Sequence, residues 1–206
     1  MRSKIRGFTV VEIMVSVTVF MIACAIMLMG IQPALREARV GTAYNLTLNV
    51  FRQARDTAIS QRQTFTVTLV NTAAPPTPNS LLITNALSGA VLYTYWLPTD
   101  VYYMVLPNFP KSPVNFPTTP DGFGLGATPI DFDQGVAGGN QIVVYFLPDG
   151  SAQDVNGNIN NGVVYIARPG DYYSARALTL WGATGRLRGW RMDQAPNNGP
   201  YYWRQM

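Results

Sequence analysis

The sequence predicts an α+β fold, in which a long N-terminal helix packs on a C-terminal head made mainly of antiparallel β-sheet. Three observations predict it. Residues 8–31 form one apolar run, a helical spacing of apolar residues continues to Ile59, and β-branched and aromatic runs recur from Thr64 onward. Because the helix comes first and the strands follow together, the order fits an α+β head rather than alternating α/β units.

The composition allows one domain and disfavours most enzyme chemistry. The 206 residues are 48% hydrophobic and 13% charged, which suits one ordinary core plus one membrane-length element. The chain has no histidine and a single cysteine, Cys24, so zinc sites, disulfide frameworks and most nucleophile–base pairs lack their residues. Cys24 lies in the apolar run, where a lone cysteine packs as a small hydrophobic side chain. We therefore expect neither an enzyme nor a cofactor nor a metal.

The first element is a predicted transmembrane helix over residues 8–31. At about 1.5 Å per residue, a helix of this length crosses a hydrocarbon core of about 30 Å. Arg2, Lys4 and Arg6 precede it, and this positive flank predicts a cytoplasmic N-terminus with the rest of the chain on the far side of the membrane. A secretory signal peptide is the alternative, but it would have a shorter apolar run followed by a small-x-small cleavage site.

Glu12 is the charged residue within this apolar run. A carboxylate inside a membrane helix costs about 2.5 to 3.5 kcal/mol on insertion scales, so it is expected to have a compensating partner. Cleavage after Gly7 would create a free amino group on Phe8, and a neighbouring subunit could present that amine to Glu12. Charge pairing in a medium of low dielectric therefore predicts that Glu12 is a subunit-docking residue.

The segment from Arg6 to Glu12, RGFTVVE, resembles the type III prepilin signal of type IV pilins and type II secretion pseudopilins. The resemblance implies that a prepilin peptidase removes a leader of residues 1–7, cleaving after Gly7, and that Phe8 becomes the N-methylated terminus. It also implies that Glu12 docks the subunit. The expected location is the bacterial inner membrane, with a single pass and an extracytoplasmic head, and then an extracytoplasmic pilus or pseudopilus.

The second part of the helix, residues 32–62, is predicted to be amphipathic and to continue into the head. Apolar residues there recur at three- and four-residue steps. Pro33 removes a backbone donor and predicts a kink or a local opening of the helix. The arginines of this segment, including Arg52 and Arg55, are most simply a solvated helix face.

Residues 63–206 are predicted to form the β-rich head. Asp149-Gly150 and Asn156-Gly157 supply turn chemistry between the runs, and the proline-rich residues 107–129 predict a long surface loop or insert. The predicted strands are residues 65–70, 81–84, 91–96, 101–106, 141–147, 163–167, 178–181 and 186–191.

Three further segments resemble the FimT and GspH minor pilins. Residues 51–59 followed by 66–69 look like that family's helix-to-first-strand segment, residues 146–151 resemble its F-x-P-x-G-S hairpin, and residues 185–188 resemble its GR-x-R strand. The resemblance implies a minor pilin or a type II secretion minor pseudopilin that primes filament assembly or mediates interaction. The implied partners are other pilin or pseudopilin subunits, the prepilin peptidase and the inner-membrane assembly platform.

DNA is a further partner that the resemblance allows, since some FimT-like members resemble DNA receptors used in transformation. Arg186, Arg188 and Arg191 are the candidate DNA-binding residues, because alternate residues of a strand share a face and could contact phosphates. The simpler interpretation is a solvated strand face over core aromatics. The aromatic residues considered for base stacking are Trp181, Trp190, Tyr201, Tyr202 and Trp203.

A membrane-tethered enzyme is the remaining alternative, and it would need titratable groups that converge in a pocket. The available carboxylates are Asp131 with Asp133 and Asp149 with Asp154, which could also be proposed as calcium ligands. Both pairs are better explained as turn chemistry, because each lacks the full run of oxygen donors that a calcium loop has.

Overall fold

A computed structural model describes residues 9–72, 78–110, 119–132 and 142–206, except the side chain of Met29. The chain divides into two compact units, Met1–Ala38 and Arg39–Met206. One helix, α1 (Val10–Gln61), begins in the first unit and ends in the second. The order of a long apolar N-terminal helix followed by antiparallel sheets confirms the predicted α+β fold class.

The described residues of the first unit are Thr9 and the apolar N-terminal part of α1. Its most apolar 18-residue stretch has no buried residue, and this is a helix long and apolar enough to cross a membrane. The structure assigns helix through Pro33 without a break, so the predicted local opening of the helix is not observed. One missing backbone donor removes one hydrogen bond, and the bonds on either side keep the segment helical.

The part of α1 in the second unit supplies one side of the core. Apolar side chains at helical spacing, among them Val40, Tyr44, Phe51 and Ala58, are buried against strands of both sheets. The helix ends after Gln61 because Arg62 adopts a left-handed conformation with φ of 52°, and the Gln63 N–H then bonds back to the Ala58 carbonyl at 3.3 Å.

Eleven strands follow in the described residues, and every pairing between them is antiparallel. They form a five-stranded sheet, in the order β3-β2-β1-β6-β7, and a second sheet, in the order β11-β10-β9-β8-β4, with β5 also paired to β8. The strands are β1 (Phe65–Val70), β2 (Ser80–Asn85), β3 (Val91–Trp96), β4 (Tyr102–Tyr103), β5 (Ile130–Phe132), β6 (Val143–Phe146), β7 (Ala152–Gln153), β8 (Gly162–Arg168), β9 (Asp171–Trp181), β10 (Arg186–Gln194) and β11 (Tyr201–Gln205).

Most predicted strands are confirmed, with three differences. Of the predicted strand 101–106, only the two residues of β4 form a strand, so the prediction is wrong for the rest. β9 begins at Asp171, much earlier than predicted, because Ser174 and Arg176 are buried in the sheet although their side chains are polar. β5, β7 and β11 were not predicted from hydrophobic runs, because they are short or rich in polar residues. Residue 141 of the predicted strand 141–147 lies outside the described residues.

The central strands of the second sheet, β8 and β9, are buried on both faces. One face belongs to the core that includes α1, and the other packs under a second cluster that contains Phe109, Phe123, Tyr165 and Trp203. The Phe109 and Trp203 rings meet edge to face at 5.1 Å. Residues 107–129 were predicted to be a surface loop or an insert, and the burial of Phe109 and Phe123 favours the insert, because the described part of this segment covers the sheet. Residues 111–118 lie outside the described residues.

Asp121 holds this segment on the second sheet. Its side chain is 5% exposed and forms an ion pair with Arg188 of β10, with Oδ1 2.7 Å from Nη1. Oδ2 accepts hydrogen bonds from the Thr179 hydroxyl and, at 3.0 Å, from the Trp181 indole N–H. The Arg188 guanidinium also lies 5.3 Å from the Trp181 ring centroid. One carboxylate therefore ties the insert to two strands.

The edge strand β3 differs from the other long strands because none of its six side chains is buried. Val91, Tyr93 and Trp96 are each at least half exposed, and the strand carries no charged residue. Its partner on one side is β2, and among the described residues no strand pairs with its other side.

We expect Asp121→Asn to lower the free energy of unfolding by about 2 to 4 kcal/mol, because it leaves the Arg188 charge without a carboxylate in a partly buried position. Urea unfolding of the full chain in detergent, followed by tryptophan fluorescence, measures this. The matched control is Asp193→Asn, which removes the partner of the exposed Arg204 and should cost less than about 1 kcal/mol. Equal losses in the two variants would contradict the role of Asp121 as an anchor.

Candidate functional site

The first candidate site is the N-terminal end of α1. The Thr9 N–H donates to Glu12 Oε2 at 2.9 Å, the Thr9 hydroxyl donates to the same oxygen at 3.1 Å, and the Glu12 N–H donates to Thr9 Oγ1 at 3.3 Å. This reciprocal pattern is a capping box, in which two side chains satisfy the backbone donors that the first helical turn leaves open. Gly7 and Phe8, the predicted processing residues, lie outside the described residues.

The capping box shows how Glu12 is accommodated in a single chain. Its carboxylate is exposed and its observed partners are the hydroxyl and the N–H of Thr9. These are neutral donors, and among the described residues no cationic side chain forms an ion pair with Glu12. The carboxylate is therefore held at the helix terminus with capacity to accept a cationic donor as well.

The second candidate site lies where three sequence segments meet at Arg55 of α1. Arg55 Nε donates to the Gly150 carbonyl at 3.1 Å, and Arg55 Nη2 donates to the Thr184 carbonyl at 3.2 Å. Gly150 lies in the turn between β6 and β7, and Thr184 lies in the turn between β9 and β10. One guanidinium thus joins the helix to one hairpin of each sheet.

Two glycines make this close approach possible. Gly185 has a φ of 62°, and a Cβ atom there would lie 2.2 Å from the Gly150 oxygen and 2.6 Å from Arg55 Nε. Gly150 has a φ of 83°, and a Cβ there would lie 3.2 Å from Arg55 Nη2. Both the left-handed backbone and the absence of a side chain are needed at Gly185.

An open cleft of about 330 Å³ adjoins this joint, and we call it the arginine cleft. Arg52 and Arg186 are exposed and Arg55 is half-buried, and none of the lining residues is acidic. Within the described residues no carboxylate forms an ion pair with these three arginines. The lining residues are Arg52, Arg55, Thr184, Gly185, Arg186 and Leu187.

The three predicted DNA-binding arginines do not form one free basic strip. Arg186 is exposed and lines the arginine cleft, whereas Arg188 is 28% exposed and its charge is compensated by Asp121. Arg191 is half-buried on β10. Of the aromatic residues considered for base stacking, Trp203 is buried in the second core cluster and Trp181 is hydrogen-bonded to Asp121. The predicted row of phosphate contacts is therefore interrupted at its middle residue.

The carboxylates that could have supported a metal or an enzyme site accept hydrogen bonds from nearby residues of the chain. Asp149 accepts from the Ser151 hydroxyl and N–H, and these bonds lower the pKa of Asp149. Burial raises the pKa of Asp154, but hydrogen bonds from Asn158 and Asn156 outweigh it and the net shift is downward. Both residues stabilise turns, as predicted.

Asp131 differs from these two turn residues. Burial raises its pKa, and its Oδ2 accepts the Leu125 N–H at 3.2 Å. Asp133, its predicted companion, lies outside the described residues. Within the residues that the structure describes, no three His, Cys, Asp or Glu side chains are grouped so that they could hold a metal ion.

Comparison with known proteins supports the predicted N-terminal signal. Residues 2–28 match the model of the prokaryotic N-terminal methylation motif, which supports a type IV pilin-like protein. Comparison with curated protein sequences gives no match. The crystal structure of the type IV minor pilin FimU of Pseudomonas aeruginosa aligns with 76% of this chain and 89% of its own, at 14% identity and a TM-score of 0.41. At that level of similarity, nothing further follows from the alignment.

We expect Gly185→Ala to destabilise the chain by about 2 to 4 kcal/mol, because it adds a steric clash at the Arg55 joint to the cost of a left-handed alanine. The matched control is Gly170→Ala, where φ is 76° but no atom lies within 4 Å of the added Cβ, so only the backbone cost of about 1 kcal/mol remains. Urea unfolding of both variants measures the difference. Equal destabilisation would show that the close approach at Arg55 contributes nothing.

Proposed function

We propose that this chain is a minor pilin or pseudopilin, a subunit that enters a type IV pilus or a type II secretion pseudopilus to prime its assembly or to mediate an interaction. The observation that carries the proposal is the match of residues 2–28 to the methylation motif, together with the helix α1, whose most apolar stretch has no buried residue. A helix of that kind needs an apolar environment, and a membrane followed by the packed interior of a filament would provide one.

In this proposal the chain is first held in the bacterial inner membrane with its head on the extracytoplasmic side. A prepilin peptidase cleaves after Gly7, and the new Phe8 terminus is methylated. The assembly platform then moves the subunit out of the membrane into a filament of other pilin or pseudopilin subunits. This sequence of events accounts for an anchor that is apolar but carries one charge near its start.

Glu12 is the proposed docking residue. Its capping partner Thr9 is neutral, no cationic side chain in the described part of the chain pairs with it, and the carboxylate is exposed at the start of the helix. The free amino group of a neighbouring Phe8 is a cation that would reach this carboxylate in a helical array of subunits. The ion pair would form in a medium of low dielectric, where it favours one register of subunits over others.

DNA uptake through β10 is supported less well than filament assembly. A DNA track needs several uncompensated cations along one surface, because affinity rises with the number of phosphates that are neutralised. Within the described residues Arg186 is an uncompensated cation of this kind, but Arg188 is paired with Asp121. Binding of duplex DNA is therefore one of the outcomes that the experiment on the arginine cleft measures.

Processing can be tested with Gly7→Val. A branched side chain beside the scissile bond should block the peptidase, so the precursor should persist with its leader and without the added methyl group. Intact-mass measurement of the protein from a host that expresses a prepilin peptidase shows both changes. Ser3→Val is the matched control, since it changes the same leader away from the cleavage point and should be processed normally. Normal processing of Gly7→Val would contradict the assigned cleavage site.

Docking can be tested by comparing Glu12→Gln with Glu12→Ala. Glutamine keeps the capping hydrogen bonds and removes the charge, whereas alanine removes both. If the charge docks the subunit, both variants should enter sheared filaments about tenfold less than the wild type. The unfolding transition of the second unit should be unchanged in both. Wild-type incorporation of Glu12→Gln would mean that Glu12 acts only as a helix cap.

A further inference from the structure

We propose that the arginine cleft binds an acidic segment of a neighbouring subunit through the side-chain carboxylates of that segment. The inference rests on the proposed function, because it assumes that other filament subunits surround the chain. It concerns a different surface from the Glu12 contact. Arg52, Arg55 and Arg186 are the residues that would bind the carboxylates.

The first argument is the chemistry of the cleft. A guanidinium presents a planar fork of donors that matches the two oxygens of a carboxylate. Three guanidinium groups line one cleft, and none of the lining residues is acidic. Like charges brought together in this way repel one another, so the arrangement favours a ligand that carries more than one negative charge.

The second argument is that part of the cleft is held in place before any ligand arrives. Arg55 donates to the carbonyls of Gly150 and Thr184 through Nε and Nη2, which leaves Nη1 available. Arg52 lies three residues earlier on the same helix and therefore shares a helix face with Arg55. Because Arg55 is already ordered, a ligand would lose less side-chain entropy on binding there than on three free arginines.

The third argument is that, in the part of the chain that the structure describes, several other arginines of the same unit are paired with carboxylates, whereas the three arginines of the cleft are not. Arg188 pairs with Asp121, and Arg204 pairs with Asp193 at 3.0 Å. Arg39 and Arg168 share Asp100, at 3.0 and 3.3 Å. The next arginine along β10 from Arg186, Arg188, is therefore compensated, and this suits a short acidic peptide better than the backbone of a duplex.

The lining also indicates what surrounds the anion. Leu187 is the apolar lining residue, and no aromatic ring lines the cleft. A glutamate side chain has a short aliphatic stem that could pack on Leu187 while its carboxylate meets the guanidinium groups. An unstacked nucleic-acid base would find no ring to stack on. The cleft is therefore better matched to acidic side chains than to nucleotides.

The test is fluorescence anisotropy of a labelled hexaglutamate peptide with the full-length chain in a neutral detergent, over a salt series. We expect saturable binding that weakens as salt rises. Arg52→Gln/Arg186→Gln should weaken the binding about tenfold or more, since it removes two forks and leaves the Arg55 joint intact. Arg36→Gln/Arg204→Gln is the matched control, because it removes the same total charge away from the cleft and should change the affinity less than about twofold.

Three outcomes would overturn the proposal: no peptide binding at low salt, equal loss in both double variants, or tighter binding of duplex DNA that the cleft variant alone abolishes. The last outcome would assign the cleft to nucleic acid instead. Filament entry of the cleft variant is measured separately. If the chain binds the peptide but never enters a filament, the proposed function is contradicted and the proposal for the cleft is not. If the chain enters a filament but does not bind the peptide, only the proposal for the cleft is contradicted.

Discussion

The second unit depends on one guanidinium, that of Arg55. It reaches from the helix to a turn of each sheet and donates to two backbone carbonyls that no strand could satisfy there. The close approach of the two turns requires glycine at Gly185 and a left-handed backbone at Gly150. Three segments that are far apart in the sequence therefore have a shared physical reason for their composition: each supplies one side of a single joint.

The contact made by Arg55 contributes both to the stability of the second unit and to the proposed binding site in the arginine cleft. The hydrogen bonds that hold Arg55 also set its position in the arginine cleft, so one of the three guanidinium groups there is fixed before a ligand binds. The insert makes a comparable contact with the second sheet, where Asp121 compensates the charge of Arg188. Both contacts use an arginine. The backbone carbonyls that bind Arg55 leave its charge uncompensated, whereas the Asp121 carboxylate compensates the charge of Arg188.

Much of this architecture could be predicted from the sequence. Hydrophobic period and length identified the apolar helix and most strands, and Asp149 and Asp154 were correctly explained as turn residues. The joint at Arg55 could not be predicted, because an arginine on a helix looks solvated until the turns that face it are known. The partners of Arg55 are main-chain carbonyls, and every residue has one. The sequence therefore indicates this contact only through the glycines next to those carbonyls. Asp121 was missed for a related reason, since proline and glycine around it indicate a loop and do not show what the loop covers.

The edge strand β3 has a practical consequence for anyone preparing this protein. Removing the apolar helix is the usual way to obtain a soluble form of an anchored chain, but such a truncation would still carry an uncharged strand with Val91, Tyr93 and Trp96 in contact with water. Among the described residues no strand pairs with the outer edge of β3, and an open edge beside exposed aromatic residues favours strand-to-strand association between molecules. A lysine at Thr94, a polar position that is already exposed, would discourage self-association without disturbing the core.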